Sequence, residues 1–473
     1  MKIKVLTTAS ILLSIVPFFL LNAQWQLTNS MHVSRSYHTA TLLPSGNVLI
    51  AGGLNNIGSL NSCEIYNTIL NDWTVAPPMY YRRFGHSAAL LLNGKVLVTG
   101  GYDYQASTYL NSCELYDPIV NSWSMTDSMR TKRSGHTATL LDDGRVLVVG
   151  GEYSRSCEIY DPLISKWFDV DSTHSPRMGH SATKLEGGKV IIIGSWGAEW
   201  DYDYYLETCE LFNLQTFSWS FTDSMIYARA FHSTAVLSDD RLFVSGGKNS
   251  EHVSQCEVYD PVDNVWSVSD SLRQPRSDHC SVTLLNGEVL IIGGQYGTDP
   301  QSNYHALSSC ELRNVNGIIV HADSLKIARY GHQATLLQDG NILLVTGGAE
   351  GLHFNRIYLN SCELYSMNTN GIHEQRSNIN ALSFQLRQNY PNPFNPTTKI
   401  EFYLPKTTFV SLTIIDFIGN KIKTIVSEEK YAGKYIVIWD GTNDKNEKVS
   451  SSVYFYKLET NENKIVRKMI LLK

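Results

Sequence analysis

Between Arg83 and Trp123 the chain reads Arg83-Phe84-Gly85-His86, Ser87-Ala88-Ala89-Leu90, a turn at Asn93-Gly94, Lys95-Val96-Leu97-Val98 running into Gly100-Gly101, then Cys113-Glu114-Leu115-Tyr116 and Trp123. Short apolar or β-branched runs separated by glycine turns predict four short antiparallel strands. The unbroken run at Lys95–Val98 suits a strand covered on both faces. The glycine pair suits a position that needs positive φ or a close backbone approach. Trp123 brings a large apolar surface to the outermost strand, with an indole N–H that needs an acceptor.

The same unit recurs along most of the chain. His38, His86, His136, His180, His232, His279 and His332 mark seven copies, each with an arginine three positions earlier: Arg35, Arg83, Arg133, Arg177, Arg229, Arg276 and Arg329. Cys63, Cys113, Cys157, Cys209, Cys256, Cys310 and Cys362 each stand directly before a glutamate. A repeat of about 50 residues is one supersecondary unit that buries its faces only against its neighbours. The unit resembles the kelch repeat, one four-stranded propeller blade with strands a to d from inside to outside, over roughly residues 25 to 373.

The expected fold class is all-β: a seven-bladed kelch β-propeller followed by a small Ig-like β-sandwich. Trp25 precedes Arg35 by the same interval as Trp73 precedes Arg83, and the seventh unit has no tryptophan after its Tyr365. The N-terminal segment is therefore expected to supply strand d of the seventh blade and remove an open sheet edge. A local strand around Ile372 is the alternative. Two units depart from the pattern: Gly194-Ser195 replaces the glycine pair, and Arg313 replaces the tyrosine, with Val320 at the tryptophan spacing.

The 473 residues are 43% hydrophobic and 18% charged, with a net charge of −6. That is a folded composition without the positive field that draws proteins to nucleic acid. Lys2, Lys4, the apolar run Ile11 to Leu21 and Ala23 read as a secretory signal peptide over 1–23, leaving the propeller at 24–378 and a separate domain at 383–473. No segment is expected to span a membrane.

Spacing separates frame from variable surface. The interval from the glycine pair to the cysteine ranges from six residues (Gly151 to Cys157) to sixteen (Gly294 to Cys310), whereas the interval from histidine to glycine pair is nearly constant. Variation therefore sits in the b–c loops, which share a face with the d–a loops, and binding residues favour variable loops on a rigid frame. The candidates are Tyr102 and Tyr104; Trp196, Trp200, Tyr202 and Tyr204; Tyr296 and Tyr304; His353 and Arg356. Flat rings beside carboxylates suit a glycan or anchor a protein partner, and they also pack long loops onto the frame.

In kelch adaptors that bind acidic peptides, an arginine at the equivalent position in some blades lines the channel mouth. Here seven arginines match seven glutamates, which favours buried internal pairing. The seven imidazoles form a ring too wide for one metal ion and are expected to hydrogen-bond between blades. The repeated cysteines are expected to be buried free thiols, with Cys280 alone outside the pattern. No catalytic residue, metal or cofactor is expected. Kelch-type propellers include copper-radical oxidases and a sialic acid epimerase, so an enzyme acting on carbohydrate is the alternative. The oxidases require a cysteine beside a metal-ligating tyrosine and two histidines.

From Ser383 the segment carries 14 bases and 9 acids. Strands are expected at Thr398 to Leu404, Phe409 to Ile415, Tyr435 to Trp439, Val453 to Leu458 and Ile465 to Leu472. Asn389-Tyr390-Pro391-Asn392-Pro393-Phe394-Asn395-Pro396, Trp439-Asp440-Gly441, Val453-Tyr454-Phe455-Tyr456 and the basic end from Arg467 resemble the type A sorting domain of the type IX secretion system. Ser452 stands where that family usually has glycine. The resemblance implies export through that machinery, to the cell surface or medium.

Overall fold

In the computed structural model, seven four-stranded antiparallel sheets surround one axis. The described residues are 24–367 apart from 153, 200, 201, 298–303, 339 and 352–354, and 384–472 apart from 390, 391, 393, 405, 406, 417, 431, 432 and 446. The chain divides into two compact units, Met1–Thr369 and Asn370–Lys473. The proposed signal peptide and Ile372 lie outside the described residues.

Strand b is buried in every blade, as at Val48–Ala51, Val96–Thr99 and Val289–Ile292. Alternation divides each strand between two neighbours: Val96 and Val98 pack with Leu49, Cys63 and Ala76 of blade 1, and Leu97 packs with Val146, Val148 and Tyr160 of blade 3. Seven such cores lie between seven pairs of blades. The core of this propeller is thus a ring of interfaces.

Gln24–Thr28 pairs antiparallel with Cys362–Ser366, placing Trp25 opposite Tyr365. Their ring centroids are 5.0 Å apart, matching the Tyr66–Trp73 pair of blade 1. The N-terminal strand therefore closes the ring. Each outer tryptophan also binds the preceding blade: Trp73 Nε1 donates to Asn29 O at 2.7 Å, Trp123 to Pro77 O at 2.9 Å and Trp25 to Asp323 O at 3.0 Å. In blade 6, register places Ile319, not Val320, opposite Arg313. The turn there is one residue shorter than in its neighbours, so Ile319 is buried and its backbone N–H donates to Asp270 Oδ2 at 2.9 Å in place of an indole.

Gly52 shows why the glycine pair is needed. A Cβ there would lie 2.6 Å from Arg83 O and 2.8 Å from His86 Cε1 of the next blade. In blade 4, Ser195 lacks the positive φ of the second glycine, and strands b and c run on as a long hairpin, Lys189–Glu199 with Tyr202–Asn213. The other long b–c connections also contain short two-stranded ribbons, such as Tyr102–Asp103 with Thr108–Tyr109.

The second unit is a β-sandwich of one three-stranded and one four-stranded sheet. Ile400, Phe402, Leu412, Ile414, Trp439, Tyr456 and Met469 fill its core. Lys421–Lys430 forms an edge strand that hydrophobic patterning misses, because it is almost entirely polar or charged on its outer side.

Candidate functional site

The seven arginines are fully buried and each pairs with the glutamate of its own repeat at 2.6–2.9 Å. Arg83 Nη1 also donates to Gly100 O and Ser112 O, and Glu114 accepts the backbone N–H groups of Tyr80 and Tyr81. One guanidinium thereby ties the d–a turn to the ends of strands b and c. Burial lowers the pKa of Arg35, Arg229, Arg276 and Arg329, while the facing glutamate raises it. These groups build the platform beneath the b–c face.

Six histidines reach a hydroxyl of the preceding blade: His38 with Thr346, His86 with Thr39, His136 with Thr99, His180 with Thr137, His232 with Ser181 and His279 with Ser245, all at 2.8–3.0 Å. For His332 the equivalent positions hold Cys280 and Ile292, neither of which carries a hydroxyl. Burial, followed by the nearby arginine charge, brings His86, His180, His232 and His332 down to about 3. All eight cysteines are free thiols, and burial pushes those of the repeats and of Cys280 up to about 12.

A second ring lies where the chain turns into strand a. The residue before each histidine has φ between 50° and 68°. Backbone bonds link these residues from blade to blade: Tyr37 N to Gly331 O, Gly85 N to Tyr37 O, Gly135 N to Gly85 O, Phe231 N to Gly179 O, Asp278 N to Phe231 O and Gly331 N to Asp278 O, at 2.7–3.2 Å. Four members are glycine, the residue this conformation favours. The other three, Tyr37, Phe231 and Asp278, hold side chains at a backbone position that costs them energy.

The non-glycine members occupy one arc of the throat, and polar groups of the neighbouring hairpins join them. Gln295 Nε2 and Ser277 Oγ donate to Asp278 Oδ2 at 2.7 and 3.2 Å. Burial pushes the Asp278 carboxyl above the ordinary range, against these bonds and the charges of Lys248 and Arg356. Burial and then the Asp278 charge hold the Tyr37 phenol well above its usual value. Lys248 Nζ donates to Tyr304 Oη at 3.0 Å. The Phe231 ring covers Gly179 and lies 6.3 Å from the Trp196 ring.

Of the residues singled out from sequence, Trp196, Tyr304 and Arg356 border this arc. Tyr102 packs on Phe84 and Tyr109, with ring centroids at 5.8 and 4.8 Å, and Tyr104 is exposed. Tyr204 covers Gly197, and Tyr296 faces His252. Trp200, His353 and the Tyr202 side chain lie outside the described residues. Sequence reasoning missed Tyr37, Phe231, Asp278, Lys248 and Gln295. A signal existed in the motif itself: Arg-x-Gly-His holds in four units and becomes Arg-Ser-Tyr-His, Arg-Ala-Phe-His and Arg-Ser-Asp-His in the others.

The opposite rim carries a cleft of about 800 Å³ lined by a–b and c–d turns, including Asp142, Lys184, Asp239 and Arg241. Two ion pairs lie in it, Asp142–Lys184 and Asp239–Arg241, each at 2.7 Å.

Residues 85–294 match the family model described as KLHDC2/KLHL20/DRC7 Kelch-repeats domain, and residues 35–80 match the Kelch motif. The chain carries kelch repeats. No curated protein matches it. Among solved structures, a fungal alcohol oxidase of the AA5 family in complex with copper is similar, with 13% identity, TM-score 0.62, and coverage of 95% of this chain and 100% of that one. The structure titled YjhT is similar at 16% identity and TM-score 0.48, covering 63% of this chain and 99% of that one. At these identities the likeness concerns the fold.

Among the described residues no three His, Cys, Asp or Glu side chains converge. Six imidazole Nε2 atoms are engaged with hydroxyls, and Cys280, the cysteine outside the repeat positions, is held as a thiol with Sγ 3.5 Å from His332 O. Among the described residues no helix is long and apolar enough to cross a membrane.

Proposed function

We propose that this kelch propeller binds a glycan or protein ligand on the face formed by its b–c hairpins and d–a turns, and that it is exported to the cell surface or medium. The observation that carries the binding reading is the throat ring: three side chains stand where the backbone favours glycine, on the same face that collects the length variation.

Replacing Trp196 to Tyr205 by a two-residue turn is expected to abolish ligand binding while the melting temperature moves by no more than about 3 °C, since the blade frame below Ser195 is untouched. Binding assays and thermal melting on the same preparation check this; unfolding of the variant would mark the hairpin as part of the frame.

The export reading rests on the N-terminal leader pattern and on the likeness of the tail to type IX sorting domains. The machinery would engage the β-sandwich, in which Arg467 Nε donates to Leu386 O and Tyr456 Oη donates to Arg387 O, fixing the start of the tail against its end. Deleting residues 383–473 is expected to retain the propeller inside the cell envelope. Surface labelling of intact cells reads the outcome, and undiminished surface signal would rule the sorting role out.

A further inference from the structure

We propose that the throat arc of blades 5, 6, 7 and 1 is a saccharide site: Asp278 and Gln295 accept and donate to sugar hydroxyls, Lys248 and Arg356 donate from either side, and Phe231 and Tyr37 present rings to the apolar face of a pyranose. This rests on the b–c face as the binding face and adds the ligand class and the residues that read it.

The arc is asymmetric in a way a scaffold does not require. Gly85, Gly135 and Gly179 take the same left-handed turn with no side chain of their own, so the frame does not require one at this position. Tyr37 leans over Gly331 and Phe231 over Gly179, so each ring lies along the throat wall. Asp278 is held by Gln295 at 2.7 Å. Arg356 faces Tyr37, Tyr330 and Tyr358, and Lys248 is fixed by Tyr304.

The chemistry of this set decides the ligand class. A sugar ring offers hydroxyls that both donate and accept along its edge, and C–H groups on its face. A carboxyl, a carboxamide, an ammonium and a guanidinium around two rings match that alternation. A protein partner is anchored instead by apolar side chains in desolvated pockets, whereas the large apolar residues exposed on this face, such as Ile57 and Ile357, are scattered.

The test uses the full chain with a panel of a neutral hexose, an N-acetylhexosamine and a hexuronic acid, each with its disaccharide, by saturation-transfer NMR and calorimetry. At least one class is expected to bind, and the class that does separates a neutral, amide-bearing or acidic sugar. Asp278→Ala and Phe231→Gly are each expected to weaken that binding about tenfold or more, while Lys184→Ala on the opposite rim leaves it unchanged. Phe231→Gly is also expected to keep or raise the melting temperature, because glycine relieves the left-handed backbone. The proposal is overturned by absence of binding across the panel, by binding that survives both throat variants, or by a fall of more than about 5 °C in Phe231→Gly. If a protein ligand lost with the blade 4 hairpin is found while no sugar binds, this inference fails and the binding face stands.

Discussion

Glu114→Ala is expected to destabilise the propeller by about 3–5 kcal/mol, the usual cost of breaking a buried ion pair from one side. Arg83 has no solvent exposure, so its guanidinium would be left charged in the interior with only the carbonyls of Gly100 and Ser112 and the Ser112 hydroxyl as partners. The backbone N–H groups of Tyr80 and Tyr81 would lose their acceptor at the same time. Glu114→Gln keeps an acceptor oxygen but removes the charge, so it should fall between the wild type and alanine. Chemical denaturation of the three proteins gives the series; a midpoint for the alanine variant equal to the wild type would show that the pair does not hold the blade.

Acid is expected to unfold the propeller well before its carboxylates are protonated. Seven imidazoles are buried and neutral: burial and then the adjacent arginines bring His86, His180, His232 and His332 down to about 3 and hold His38, His136 and His279 well below the ordinary value of 6.5. A depressed folded pKa means that the unfolded chain binds more protons between about pH 6.5 and 3. The stability from these groups is therefore complete above pH 6.5 and is lost as pH falls. Each imidazole contributes a slope of about 1.4 kcal/mol per pH unit in that window. Seven together act against a total stability of typically ~5–15 kcal/mol, which places the collapse between about pH 6 and about pH 5. Melting temperature measured from pH 8 to 4 reads it, and His136→Gln should flatten the slope by about one proton. A melting temperature at pH 5 equal to that at pH 8 would contradict the account.

The partners of the arginines were readable from their equal number of copies, those of the histidines only in part. Arg83 and Glu114 recur together seven times, and the Ser or Thr after most of the histidines supplies half of the imidazole contacts. Elsewhere local pattern was insufficient. Val320 fits the tryptophan interval, yet a turn shortened by one residue moves Ile319 into that place, because register in a hairpin follows its turn. The edge strand Lys421–Lys430 escaped notice because it has little apolar face to reveal.

The amino-acid sequence by itself determined the sevenfold frame, the buried b strands and the closure of the last blade by Trp25. These follow from a motif repeated with fixed spacing, in which each residue's environment is set by its own blade and the next. Only the tertiary structure decided that Tyr37, Phe231 and Asp278 share one throat. They come from blades 1, 5 and 6, nearly at opposite ends of the repeat array, and meet because ring closure brings the first blade beside the last and because the left-handed turn before each histidine lies on the innermost circle of the propeller.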